Sequence, residues 1–174
     1  MRAAIALGSS LGPRRRILER AVQQLAATPG IRVERVSRWW RTPPMRGGTA
    51  RGWFLNGAVR IETSLSPDEL LHRCVALEAA SGRRRARHWG DRTLDLDLLH
   101  VEGVTADGPH LVLPHPGIAK RRFVLLPLLE VWPDARDPRT GKRWADGGEA
   151  PGPRPVACGV QQGTRWTRGP RTDS

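Results

Sequence analysis

Between Leu94 and Leu98 the residues alternate strictly, with Leu94, Leu96 and Leu98 separated by Asp95 and Asp97. An extended strand sends such a pattern to two faces, leucines to one and carboxylates to the other. The chain must therefore build a sheet whose one face is a hydrophobic core and whose other face tolerates two neighbouring negative charges. Aspartate is disfavoured in strands. Two carboxylates about 7 Å apart along a strand repel each other unless a cation lies between them. Hard divalent ions such as Mg²⁺ take that arrangement, with water and phosphate oxygens completing the shell. A solvated strand face is the plain alternative.

The rest of the sequence supplies the other layers. Ala3 to Leu7 reads as a strand running into a Gly8-Ser9-Ser10 turn. Ile17, Leu18, Ala21, Val22 and Leu25 are spaced for one face of a helix, which Pro29-Gly30 ends. Residues 31–41 read as one strand, ended by Thr42-Pro43-Pro44, and residues 45–52 as a glycine-bearing mobile loop. Trp53 to Thr63 alternates again, with Phe54 and Asn56 sharing a face. Ser66-Pro67-Asp68-Glu69 is a capping box with proline at the first helical position. The helix behind it carries Leu70, Leu71, Cys74, Val75 and Glu78 near one stripe. An arginine-rich loop (83–91), the strand from Thr93 to Val101 and an apolar helix near 122–131 complete the order. That order, β-α-β-β-α-β, predicts an α+β, ferredoxin-like core: an antiparallel sheet with helices on one face, plus a C-terminal hairpin and helix extension. Residues 145–174 hold ten Gly or Pro and few large aliphatics. The expected division is a domain over 1–144 and a flexible or loosely docked tail over 145–174.

Two cysteines in 174 residues exclude a disulfide scaffold, and no apolar run approaches the ~20 residues of a membrane span. These features predict a cytoplasmic protein. The 29 basic against 17 acidic residues, +12 in all, favour anionic partners. The arginines concentrate at 14–16, at 83–87 just before the paired aspartates, and at 121–122. Guanidinium groups beside carboxylates that can hold Mg²⁺ are what phosphoryl transfer uses. Neither a GxxxxGK[ST] loop nor a GxGxxG turn is present.

Six blocks together carry a resemblance. Ala6-Leu7-Gly8-Ser9, Arg41-Thr42-Pro43-Pro44, Phe54-Leu55-Asn56-Gly57-Ala58-Val59, the 89–98 stretch, Leu113-Pro114-His115 and Arg121 to Leu128 resemble, in order and spacing, the 6-hydroxymethyl-7,8-dihydropterin pyrophosphokinases. The resemblance spans roughly residues 3–133. It implies a Mg²⁺-dependent transfer of the pyrophosphoryl group of ATP to the pterin hydroxymethyl, a step of folate biosynthesis, by a monomer that binds neither nucleic acid nor membrane. Asp95 and Asp97 would hold two Mg²⁺ ions. Thr42, Pro43, Phe54, Asn56 and Phe123 would bind the pterin, with the two phenylalanines stacking on the ring. Glu78, Trp89, Arg92, Leu98, His115 and Arg121 would bind ATP, and Arg83, Arg85 and Arg92 would act on the phosphates. Ser10, Asp91 and Val112 depart from the pattern, which commonly has asparagine, proline and threonine there. Two rivals are a basic RNA-binding module, against which the aspartate face argues, and a homologue that binds pterin or nucleotide without turnover.

Overall fold

Alternation and capping chemistry set most of the elements in the computed structural model of the chain, which describes residues 1–44, 52–82, 91–147, 150–151 and 155–158. In chain order they are β1 (Arg2–Ser9), α1 (Arg14–Ala27), β2 (Ile31–Val36), β3 (Trp39–Thr42), β4 (Phe54–Thr63), α2 (Pro67–Ala80), β5 (Asp95–Val101), β6 (Ala106–Asp107), β7 (Val112–Leu113), α3 (Gly117–Lys120), α4 (Arg122–Val131) and β8 (Val156–Cys158). The capping box forms as expected. Ser66 Oγ accepts from the Glu69 backbone N–H at 3.3 Å, and the Glu69 carboxylate accepts from the Ser66 backbone N–H at 2.7 Å. Val75 departs from its expected stripe and is 53% exposed, while Leu70, Cys74 and Glu78 are buried.

The main sheet runs β5-β1-β4-β3-β8, with β2 also paired to β4, and every described pairing in it is antiparallel. Spatial order β5-β1-β4-β2 is that of a ferredoxin-like core. Two expectations change in detail. Residues 31–42 form two strands, because at Ser37 the side-chain Oγ accepts the Ala58 backbone N–H at 2.8 Å. Gly8 and Ser9 belong to β1 and not to a turn, since β1 lies between β4 and β5 and pairs with both as far as Gly8. The strand β8, inside the stretch read as a tail, adds its Val156–Cys158 to the β3 edge.

Helices cover both faces of the sheet rather than one. The leucine face of β5 joins Ile5, Leu7 and Ile61 under α1 and α2 in the larger core. On the opposite face a second cluster of Ala4, Ala58 and Leu99 packs against Val124, Leu125 and Leu128 of α4. Alanines at the sheet surface are what let α4 lie close. This opposite face, beyond the end of α4, carries the carboxylates.

Candidate active site

The strands bring their polar residues into two adjacent rows. Gly8 stands opposite Asn56 on one side and Asp95 on the other, and Ala6 stands between Ala58 and Asp97. Because the central residue of each row is glycine or alanine, the flanking side chains rise above a low floor. A cavity of about 240 Å³ opens over it. A Cβ added at Gly8 would sit 3.2 Å from Asn56 Oδ1 and 3.7 Å from Asp95 Cβ, narrowing the gap between the two halves of the site. Ala6 and Gly8 were not singled out in the sequence for this role. Their signal was small residues facing inward on a central strand.

Ten of the residues singled out in the sequence line this one cavity. Thr42, Pro43, Phe54 and Asn56 come from the β3–β4 side, and Arg92, Asp95 and Asp97 from the β5 side. His115, Arg121 and Phe123 come from the segment that closes over the sheet. Asn56 is buried, and its Nδ2 donates to Thr42 Oγ1 at 2.7 Å, which fixes the orientation of the amide. The Arg121 guanidinium lies over the Phe123 ring, 6.0 Å from its centroid, and couples an aromatic wall to a cation.

Charge in the site is divided unequally between the aspartates. One Arg92 nitrogen donates to both carboxylate oxygens of Asp95, each at 2.7 Å. Burial holds the Asp97 carboxyl above the usual carboxylate range, and the neighbouring Asp95 pushes it the same way; His115, Arg92 and Arg121 oppose the rise. Burial in turn holds the His115 imidazole below its ordinary value, against the pull of Asp97. The two aspartates therefore form a site that loses free energy to mutual repulsion and desolvation, relieved in part by arginine.

Arg92 is set from behind. Ser10 is buried, and its Oγ accepts the Arg92 backbone N–H at 2.9 Å while its own N–H donates to the Arg92 carbonyl at 2.9 Å. Arg14 Nε, from the first turn of α1, donates to the Ser10 carbonyl at 2.9 Å. Ser10 appeared in the sequence as a turn residue and as a departure from a family pattern; its place beside Arg92 depends on an 82-residue separation that no local signal reports.

Glu78 and Leu98 do not line the cavity. Glu78 is buried, and its Oε1 accepts the Leu96 backbone N–H at 2.7 Å. That bond ties α2 to the outer edge of the strand bearing the aspartates. The Leu98 side chain is in the larger core, on the edge strand of the sheet. Arg83, Arg85 and Trp89 lie outside the described residues, as does the 45–51 part of the expected mobile loop.

Comparison with known proteins decides the family. Residues 4–133 match the family described as 7,8-dihydro-6-hydroxymethylpterin-pyrophosphokinase. The chain belongs to this family. Among pterin pyrophosphokinases it is similar to the 2-amino-4-hydroxy-6-hydroxymethyldihydropteridine pyrophosphokinase of Methylorubrum extorquens, 50% identical over 133 residues that cover 76% of this chain and 84% of the relative. The proteins of the same name from Synechocystis and Bacillus subtilis are 43% and 42% identical, over 80% and 74% of this chain and 71% and 77% of theirs. The matched residues of the pyrophosphokinase family include every described side chain that lines the cavity. Among the described residues no helix is long and apolar enough to cross a membrane.

Proposed function

We propose that the chain transfers the pyrophosphoryl group of ATP to the hydroxymethyl oxygen of 6-hydroxymethyl-7,8-dihydropterin, yielding the pterin diphosphate and AMP for folate biosynthesis. The observation that carries this reading is the meeting of an anchored amide, two aromatic rings and two carboxylates in one cavity. Phe54 and Phe123 take the flat pterin ring between them, and stacking adds to the area buried. Asn56, oriented by Thr42, hydrogen-bonds the ring edge, where a buried amide needs partners. The pterin is thereby placed with its hydroxymethyl group toward Asp95 and Asp97.

The donor set fits Mg²⁺: two carboxylates on neighbouring rows of one sheet face, half-buried and facing a cavity with room for water and phosphate. Asp95 and Asp97 would hold two Mg²⁺ ions, which would supply charge neutralisation to the triphosphate. Arg92, His115 and Arg121 line the phosphate side of the cavity and add donors there. Arg83, Arg85 and Trp89 complete the phosphate and nucleotide contacts, and Glu78 and Leu98 belong to the nucleotide side along the β5 edge. Attack of the hydroxymethyl oxygen on the β-phosphorus forms one P–O bond and breaks the bond to the α-β bridging oxygen, which leaves on AMP, while the hydroxyl proton is released to solvent. Phosphoryl transfer needs little covalent help from the protein, so alignment of the two substrates accounts for most of the rate. The working unit is residues 1–144, with 145–174 appended, and it acts as a monomer; the family match over residues 4–133 lies wholly within that unit.

A chromatographic assay of nucleotide products from ATP and the pterin alcohol tests the reaction. AMP in equal amount with pterin diphosphate is expected, and Asp95→Ala or Asp97→Ala should abolish it in a folded protein. ADP as the product would refute pyrophosphoryl transfer, and tight salt-sensitive RNA binding without turnover would favour a binding module.

A further inference from the structure

His115 is held at both ends. Its backbone N–H donates to the Leu99 carbonyl of the edge strand at 2.8 Å, and its carbonyl accepts from Ile118 N–H at 3.1 Å. Among the described residues its ring makes one hydrogen bond, and the direction of that bond is set by chemistry. The Gly117 backbone N–H donates to Nδ1 at 3.0 Å. A backbone amide can only donate, so Nδ1 must carry a lone pair, and a neutral imidazole with Nδ1 bare carries its proton on Nε2. An imidazolium, or the other neutral tautomer, would point N–H against N–H. Residue 117 is glycine at this contact: a Cβ there would lie 2.7 Å from Nδ1 and 2.9 Å from Cε1, closer than such atoms approach.

We propose that Gly117 locks His115 into the Nε2–H tautomer, making the histidine a fixed hydrogen-bond donor to the cavity and Gly117 the positioning residue that sets it. With Nδ1 engaged, Nε2–H is the ring's remaining polar group, and the ring lines the cavity beside Arg121. A donor of this kind suits a phosphate oxygen and does not suit proton abstraction, since Nε2 has no lone pair to receive the substrate's proton. This assignment of role rests on the proposed placement of ATP; the assignment of tautomer does not.

Two measurements separate these claims. Long-range proton–nitrogen NMR correlation on the full-length, ¹⁵N-histidine-labelled protein without substrate reports which ring nitrogen is protonated, with His115→Gln identifying the resonance. The Nε2–H pattern is expected at neutral pH; an Nδ1–H pattern or averaging between tautomers would overturn the proposal. Gly117→Ala should disturb that pattern, and an unchanged pattern would show that the glycine is not the lock. For the role, Gln places an amide nitrogen near the position of Nε2, whereas Asn places its amide near Nδ1. His115→Gln should therefore keep a KM for ATP about 10- to 100-fold lower than that of His115→Asn, the worth of one hydrogen bond to a charged group, with the KM for pterin alike in both. The reverse order would overturn the donor role. An Nε2–H pattern in a protein that makes no AMP would remove the proposed reaction and leave the tautomer assignment supported.

Discussion

Replacing Asp97 by asparagine should make the protein more stable while destroying its activity. Like charges two residues apart on one strand face lie about 7 Å apart, and at an effective dielectric near 20 they repel by about 2 kcal/mol. The change also loses the attraction of Asp97 to His115, Arg92 and Arg121, which opposes the effect of burial and of Asp95. A net gain of about 1 kcal/mol remains, or about 2–4 °C in Tm for a chain of this size. The pH dependence has a definite sign. Because the folded carboxyl is held above its unfolded value near 3.9, the folded state binds the extra proton, and wild-type stability falls as pH rises from about 4 through the raised folded value. The advantage of Asp97→Asn should thus be absent below about pH 4, grow across that window and then level off. Thermal unfolding followed by circular dichroism in chelator-containing buffer measures it. Asp95→Asn is the control: it relieves the same repulsion but also removes the carboxylate that Arg92 grips, so its Tm should lie below that of Asp97→Asn. An Asp97→Asn protein no more stable than wild type at pH 8 without metal would refute the electrostatic argument.

Ser10→Ala removes the acceptor of the Arg92 backbone N–H, and a buried donor left unpaired costs roughly 1–3 kcal/mol. Denaturant unfolding should show that loss and kcat should fall, while Ser10→Thr recovers both; an unchanged kcat in the alanine variant would show that Arg92 needs no support from Ser10. Cys74 is buried with its thiol pushed up to about 12 by desolvation. It should resist a thiol-specific reagent at pH 8 until denaturant is added, whereas rapid labelling of native Cys74, read by peptide mass spectrometry, would contradict the packing of α2.

Several elements were legible locally. The leucine–aspartate alternation of β5, the Phe54/Asn56 face of β4 and the Ser66–Glu69 cap each depend on spacings of two or three residues, which backbone geometry converts directly into a face or a bond. Which residues would meet across the chain was legible only through likeness to a family. Val75 was misplaced because a helical stripe shows where residues align but not how wide a strip the sheet covers. The bond from Glu78 to the Leu96 N–H was not legible, because no local signal shows which strand edge a helix carboxylate will meet.

The order of elements, the charge excess and the pairing of Asp95 with Asp97 on one face were set by the sequence alone, since each follows from composition or short-range periodicity. Tertiary structure alone decided that helices cover both faces and that Gly8 and Ala6 form the floor between Asn56 and the aspartates. It also decided that Ser10 supports Arg92 and that Gly117 faces the His115 ring. The physical reason differs between these. Strand register and helix packing determine the floor and the two covered faces over long separations. The Gly117 contact spans only two residues, yet it depends on the backbone path and ring orientation that β5 imposes on His115 through Leu99.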